Sequence, residues 1–452
     1  MSETPAPVTE ALARYGRALS YETIPEAARD VARHCVLDFL GCALAGAREE
    51  LSEIVVREVA TPEASAQATL IGRSARATAA TAALFNGAAG HALDYDDTAA
   101  AMGGHPSVAV LPAVFAAAEV TGASGRDFLT ALVAGFEVQA RIGRLLGGGH
   151  YAAGFHNTGT VGTFGAAAAC AHLFGLDETG WRHALGLAGT QAAGLKSGFG
   201  TMAKPLHAGR AASAGFVAAS LARGGFTANP SILEVPQGFH ATHAGQTPTL
   251  EALAAETDRF HTPDTLFKYH AACYLTHSTI ETIGRFRAEA GLDPEKIEAI
   301  EVRVHPGLFG VCHIPEPTTG LEGKFSLRVT AALAALGRAT EAPETFCEAT
   351  MSDPVVVAMR DRVTVIGDES TPAATHAHVS VRHASGVLEE AFDSGRPERD
   401  LARQGERLSA KFERLSVPAI GEAASGALRD GVRSLEGQAR TADLLTTTTP
   451  SH

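Results

Sequence analysis

Apolar side chains recur at three- and four-residue intervals along most of the first 260 residues. In 24–45 they fall at Ile24, Ala28, Val31, Cys35, Phe39 and Ala43, with Pro25 near the start and Gly46 at the end. A proline in the first turn removes no needed hydrogen bond, and a glycine closes a helix readily, so this stretch predicts one long helix. The same period predicts helices over 77–93, 109–120, 127–146, 162–174, 180–194 and 207–223. These helices are rich in Ala and Gly, and small side chains let helix axes approach closely. A tight all-helical domain is expected.

The pattern changes near Phe260. Residues 297–305 (IEAIEVRVH) alternate apolar and polar side chains, as do 363–367 and 376–383 (HAHVSVRH), and each predicts a strand. A helix is predicted over 326–337, between the first strand and the other two. The helical period returns after Glu398, over 401–415 and 419–435. The expected fold is therefore mostly α. A large helical domain takes 1–265, a smaller α+β lid domain takes 266–395, and helices in 396–448 return to the first domain. Residues 449–452 are expected to be a tail, and the whole end TTTTPSH reads as disordered.

Charge and composition remove several classes of function. The chain has 452 residues, 37 Lys+Arg against 50 Asp+Glu and a formal charge of −13, with hydrophobic residues at 45%. It is globular, and its acidic balance argues against a nucleic-acid partner or an anionic membrane surface. No apolar run is long enough to span a bilayer. The opening MSETPAPVTEALARYG lacks a basic region ahead of an apolar core, so no secretion signal is expected and a cytoplasmic location is. Six scattered cysteines show no CxxC or Cys/His finger spacing, which disfavours a disulfide scaffold or structural zinc. The 19 histidines are the unusual feature, several of them beside Gly, Asp and Thr.

Four segments could carry chemistry. GHALDYDDTAAAMGGHPS (90–107) brings Asp94, Asp96 and Asp97 close to Thr98 and His105. Asp and His ligate metals, but this spacing fits no metal motif. DYDD has the DxDD form of a proton donor used by one class of terpene cyclases, without the aromatic-rich repeats that accompany it. GFHNTGTVGT (154–163) places His156 before a helix, where backbone N–H groups can meet an anion. LKSGFGTMAKPLHAGRAASAG (195–215) sets Lys204 and His207 three residues apart, flanked by Lys196 and Arg210. KYHAACYLTHSTIE (268–281) holds Lys268, His270, Cys273 and His277, the last two at i, i+4 if helical. Each segment alone is also compatible with a solvated loop or with packed, satisfied side chains.

Together the segments resemble the MmgE/PrpD family. LDFLGCALAGA, NGAAGHALDYDDT, GGHPSVAVLPA, GFHNTGTVGTFGAAAA, KPLHAGRAA, KYHAACYLTH and GKFSLRVTAALA follow in order from about residue 23 to about 414. The resemblance implies a helical domain with a small α+β lid, a homodimer, and no metal or organic cofactor. It implies an acid–base lyase acting on a di- or tricarboxylate. A dehydratase of the 2-methylcitrate type stands first, and an iminodisuccinate-type epimerase and a cis-aconitate-type decarboxylase are the enzymatic alternatives. A carboxylate-binding dimeric scaffold is the non-catalytic one. Carried over by motif, His105, His156, Asp94 and Lys204 are the expected catalytic residues. Thr98, Lys268, Cys273 and His207 are expected to bind substrate. The decarboxylases of the family carry a catalytic histidine where this chain has Cys273, which places decarboxylation behind dehydration and epimerisation. His277 is assigned no chemical step.

Overall fold

The computed structural model describes residues 7–60, 65–256 and 258–450. The fold is mostly helical with a smaller α+β part. The chain divides into two compact units, one drawn from the segment ending at Phe267 and the segment beginning at Arg399, the other Lys268–Glu398.

In the first unit the helices are α1 (Val8–Ala18), α2 (Glu26–Gly46), α3 (Glu50–Glu58), α4 (Ala79–His91), α5 (Ser107–Thr121), α6 (Gly125–Ala152), α7 (Asn157–Leu173), α8 (Glu178–Gly189) and α9 (Ala203–Arg223). Helices α4, α5, α7 and α9 are buried on nearly every face, and α7 and α9 both pack on α5. An apolar helix with no polar face belongs at the centre of a domain. The α4–α9 crossing is very close. A Cβ added at Gly87 would lie 2.7 Å from the Gly209 Cα, and one added at Gly209 would lie 2.2 Å from the Leu84 carbonyl oxygen. Any larger residue at either position would push the two helices apart. This crossing fixes the C-terminal end of α4 relative to α9, and both carry site residues.

A helix spanning Leu401–Ile420 packs along α2 in the same unit. Its Lys411 is buried and reaches the Asp38 carboxylate at 2.5 Å and the Tyr95 carbonyl at 2.6 Å. The end of the chain departs from the expectation of a disordered tail. Thr446–Thr448 form a short 3₁₀ turn, Thr448 is buried, and its carbonyl accepts the Gly72 N–H at 3.2 Å. Residues 451 and 452 lie outside the described residues.

The strands β1 (Ala68–Thr69) and β2 (Arg76–Ala77) form a small hairpin in the first unit. The second unit holds a four-stranded sheet of β3 (Ile297–Val304), β4 (Val363–Gly367), β5 (His376–His383) and β6 (Gly386–Asp393), in the order β4-β3-β5-β6. β3 pairs in parallel with β4 and antiparallel with β5, and β5 forms a hairpin with β6. Ile300, Val302, Val304, Ala377, Val379 and Val381 are buried, as the period-two pattern requires. β6 is an edge strand with no fully buried residue, which is why it leaves no alternating signal in the sequence. Helices His277–Glu289, Leu327–Leu336 and Pro354–Arg360 complete the unit.

Candidate active site

The segment after α4 makes a sharp turn. Asp94 adopts φ 51, a left-handed conformation that Asp tolerates better than most residues. Its N–H bonds the His91 carbonyl at 3.1 Å. The turn frees consecutive carboxylates from the helix and sends them in different directions. Asp97 is buried and accepts from the Ser107 N–H at 3.2 Å and hydroxyl at 2.5 Å. Burial, followed by the nearby Asp38, pushes the Asp97 carboxyl up to about 8, and its two bonds to Ser107 brace the start of α5. Asp94 and Asp96 instead meet cations and imidazoles.

Asp94 Oδ1 accepts from Lys204 Nζ at 2.6 Å and lies 3.7 Å from His105 Nε2. Asp96 is fully buried and bridges two histidines. Its Oδ1 lies 2.7 Å from His91 Nδ1, and its Oδ2 lies 2.9 Å from His105 Nδ1, the second a charge contact rather than an aligned hydrogen bond. Burial alone would raise the Asp96 carboxyl, but His91 and His105 outweigh it and hold the group ionised. His91, the last residue of α4, is pushed down to about 4, first by burial. A neutral His91 donating Nδ1–H to Asp96 satisfies both observations. His105 therefore has a carboxylate facing each ring nitrogen, so an imidazolium there would be held on both sides.

The start of α7 closes the loop from the other side. Asn157 Nδ2 donates to the Met102 carbonyl at 2.7 Å, and Thr158 Oγ1 accepts the His105 N–H at 3.0 Å. His156 is the N-cap residue, and its N–H bonds the Gly194 carbonyl at 3.0 Å. Its Nδ1 lies 3.1 Å from His207 Nδ1. Such a contact needs one N–H and one lone pair, so the two rings cannot both be doubly protonated. Burial first, then the charges of His91, His105, Lys204 and His207, push His156 far below the usual histidine range. The ring is packed edge-on to Phe199, whose face also lies 5.4 Å from Lys204 Nζ.

Five of the expected residues, Asp94, His105, His156, Lys204 and His207, thus form one connected cluster in the first unit, although they come from three segments. His91 and Asp96 complete it. His91 carries no distinguishing signal in the sequence, because it sits within the apolar run of α4 and its partner follows five residues later across a turn. His156 is 2% exposed and so contributes to the packed interior. Thr98 donates its hydroxyl to the Gly104 carbonyl at 3.1 Å and pairs its backbone with Leu266, so it shapes the loop that presents His105.

Lys268 and Cys273 belong to the second unit. Lys268 is buried and Cys273 is partly exposed, with the Cys273 N–H bonded to the Lys324 carbonyl at 2.9 Å. His270 anchors this segment through Thr340 Oγ1 at 2.8 Å and Glu281 Oε1 at 3.2 Å. Cys273 and His277 do not share a helix face as their spacing would allow. Tyr274–Thr276 form a 3₁₀ turn, and the α-helix begins at His277. His277 is itself buried between the rings of His270 and Tyr274, each 5.0 Å away, so its replacement would open a cavity.

His91, Asp94, Asp96 and His105 each present a potential metal-ligating atom within 4.8 Å of the others. Imidazole and carboxylate donors suit Zn, Fe or Mn. Lys204 already places a positive charge against Asp94, however, and a metal would have to displace it or share that carboxylate.

Among the described residues no helix is long and apolar enough to cross a membrane. The MmgE/PrpD N-terminal domain matches residues 10–251 and the MmgE/PrpD C-terminal domain matches 270–436. The human cis-aconitate decarboxylase is 31% identical over 374 residues, covering 79% of this chain and 76% of the relative. The mouse enzyme of that name is 32% identical over 355 residues, covering 74% and 71%. A cis-aconitate decarboxylase of Aspergillus terreus is 32% identical over 290 residues, covering 61% and 59%. With both domains matched over most of its length, the chain belongs to the MmgE/PrpD family of lyases.

Proposed function

We propose that this lyase needs no cofactor and removes water from a hydroxylated di- or tricarboxylate by acid–base chemistry, in the manner of a 2-methylcitrate dehydratase. The observation behind this reading is the pair of unlike imidazoles in one cluster. His156 is held neutral by burial, while His105 stands between the carboxylates of Asp94 and Asp96. Elimination of water needs both kinds of group. A base takes the proton from the carbon next to a carboxylate, and an acid protonates the departing hydroxyl as the alkene forms. With the His156 Nδ1–H donated to His207, the lone pair on Nε2 serves as the base. His105 serves as the acid, stabilised in its charged form by Asp94 and Asp96. Lys204 binds a substrate carboxylate and balances the negative charge that develops there. Lys268 and Cys273 are proposed to contact substrate, on the family motif alone.

A second reading is decarboxylation, favoured by the names of the relatives. That reaction needs a proton donor to carbon as carbon dioxide leaves, and no base. Cys273 weighs against it, because this chain has a thiol where the family's decarboxylases place a catalytic imidazole. The deciding experiment offers citrate, 2-methylcitrate, cis- and trans-aconitate and iminodisuccinate to the enzyme in deuterated water, followed by NMR. An alkene formed from a hydroxy acid supports dehydration. Carbon dioxide from cis-aconitate establishes decarboxylation instead. Solvent deuterium entering without an alkene establishes epimerisation. Tight binding with no exchange at any carbon defeats the catalytic reading altogether.

A further inference from the structure

A cavity borders the cluster at His207, and its lining lies entirely within the first unit. It measures about 380 Å³ and is lined by Thr163 of α7, Gln191 and Ser197 of the segment before α9, and His207 and Arg210 of α9. That volume falls at the lower end of the range for small-ligand pockets. His207 is the shared wall. Its Nδ1 faces His156, and on the cavity side a Cβ added at Gly198 would stand 3.4 Å from its Cε1. The absence of a side chain at Gly198 therefore keeps the space open.

Arg210 is the only charged residue lining this cavity, and it has no hydrogen-bond or ion-pair partner among the described residues. The residue is exposed, and its guanidinium carries a fixed positive charge and presents a planar fork suited to a carboxylate. Lys204, His207 and Arg210 follow one another at three-residue intervals on α9. From Lys204 to Arg210 the helix rises about 9 Å, a span that two long side chains can close around one small polyacid. Lys204 stands at the reacting end, against Asp94, and Arg210 stands at the remote end, in the cavity.

We propose that this cavity is a carboxylate subsite, in which Arg210 holds a carboxylate arm remote from the reacting carbon, so that the enzyme selects a tricarboxylate over a dicarboxylate. The proposal rests on the acid–base lyase reading and adds the substrate's shape to it. Gln191 and Ser197 supply neutral polar contacts around the same arm.

The test uses propane-1,2,3-tricarboxylate, which has neither hydroxyl nor alkene and cannot react, with succinate as the two-carboxylate comparison. Binding of both is measured by titration calorimetry to the wild-type full chain, to Arg210→Gln and to Gly198→Val, with folding checked by circular dichroism. Wild type should bind the tricarboxylate more tightly than succinate. Arg210→Gln should weaken the tricarboxylate roughly 10–100-fold, nearer tenfold because Arg210 keeps contact with water, and should leave succinate nearly unchanged. Gly198→Val, which fills the cavity without touching charge, should reproduce the selective loss. Arg210→Lys should recover part of the affinity. If Arg210→Gln binds the tricarboxylate as wild type does, the subsite is overturned while the lyase reading stands. Equal losses for both acids would place Arg210 on the common carboxylate and also overturn it. If wild type binds neither acid, the carboxylate-lyase reading itself falls, and the subsite with it.

Discussion

Asp96→Asn is the most informative single change at the site. Asp96 is buried and touches His91 Nδ1 at 2.7 Å and His105 Nδ1 at 2.9 Å, one through each oxygen. Asparagine has nearly the same shape but keeps only one acceptor, and its amide donates where an oxygen accepted. One of the two imidazoles must then turn a lone pair toward the amide, which moves its proton to the opposite nitrogen. The imidazolium form of His105 also loses a carboxylate. The amide oxygen keeps one of the two contacts, so the loss is that of one charge-assisted contact, about 1.5–3 kcal/mol. At about 1.36 kcal/mol per decade, that is a fall in kcat of roughly 10–10². KM should change little, because Lys204 and not Asp96 is proposed to hold the substrate. Folding should persist, since a neutral isostere removes a buried charge as well as its partners' hydrogen bonds. Steady-state kinetics on the substrate identified by the NMR panel, with differential scanning calorimetry alongside, provides the assay. The alkaline limb of the pH–rate profile, which the proposed acid sets, should also move to lower pH, a change that a purely structural role would not produce. If kcat stays within about threefold of wild type in a folded protein, Asp96 does not position the acid and the His91–Asp96–His105 arrangement has no catalytic part.

Three further outcomes follow from the same geometry. Lys204→Arg keeps the charge, but a guanidinium should grip Asp94 through both oxygens, so kcat/KM should fall at least about tenfold, checked by initial rates at low substrate. His91 titrates near 6.5 when unfolded and about 4 when folded, so the folded state binds fewer protons between those values. Its contribution to stability is full above 6.5 and is lost as pH falls toward about 4, at up to about 1.4 kcal/mol per pH unit, and His91→Asn should flatten denaturant-midpoint curves over that window. Activity should survive EDTA and exhaustive dialysis, and recovery of a dialysed, inactive enzyme by Zn²⁺, Mn²⁺ or Fe²⁺ would make the His91, Asp94, Asp96 and His105 group a metal site.

Sequence periodicity located most of the helices, and its errors have physical causes. The start of α7 is predicted at 162, but the helix begins at Asn157. Of the skipped residues, NTGTV, Asn157, Thr158 and Thr160 favour loops when their side chains compete for the backbone, and Gly159 weakens a helix by its backbone freedom. Here those side chains are engaged elsewhere. Asn157 bonds the Met102 carbonyl, Thr158 accepts from His105, and Thr160 meets His150. With that competition removed, the backbone is free to continue the helix. The site was legible only through the resemblance, because its members sit on separate segments and no spacing rule links them. The cluster itself depends on one close helix crossing, at Gly87 and Gly209, which periodicity cannot reveal.

Asp94 and Lys204 are 110 positions apart, yet they form the shortest link in the cluster, at 2.6 Å. In that state Lys204 already has an anion, and a substrate carboxylate must compete with Asp94 or share the ammonium. Sharing is chemically available, since an ammonium has three N–H donors and Asp94 is its sole hydrogen-bond partner among the described residues. Arrival of substrate would then draw Lys204 away from Asp94 and leave that carboxylate to His105 Nε2, now 3.7 Å away. On the proposed mechanism, that closer contact would ready His105 as the acid only when substrate is in place. On this reading a lysine suits position 204 because its ammonium can reach both carboxylates through three N–H donors, whereas an imidazole offers at most two.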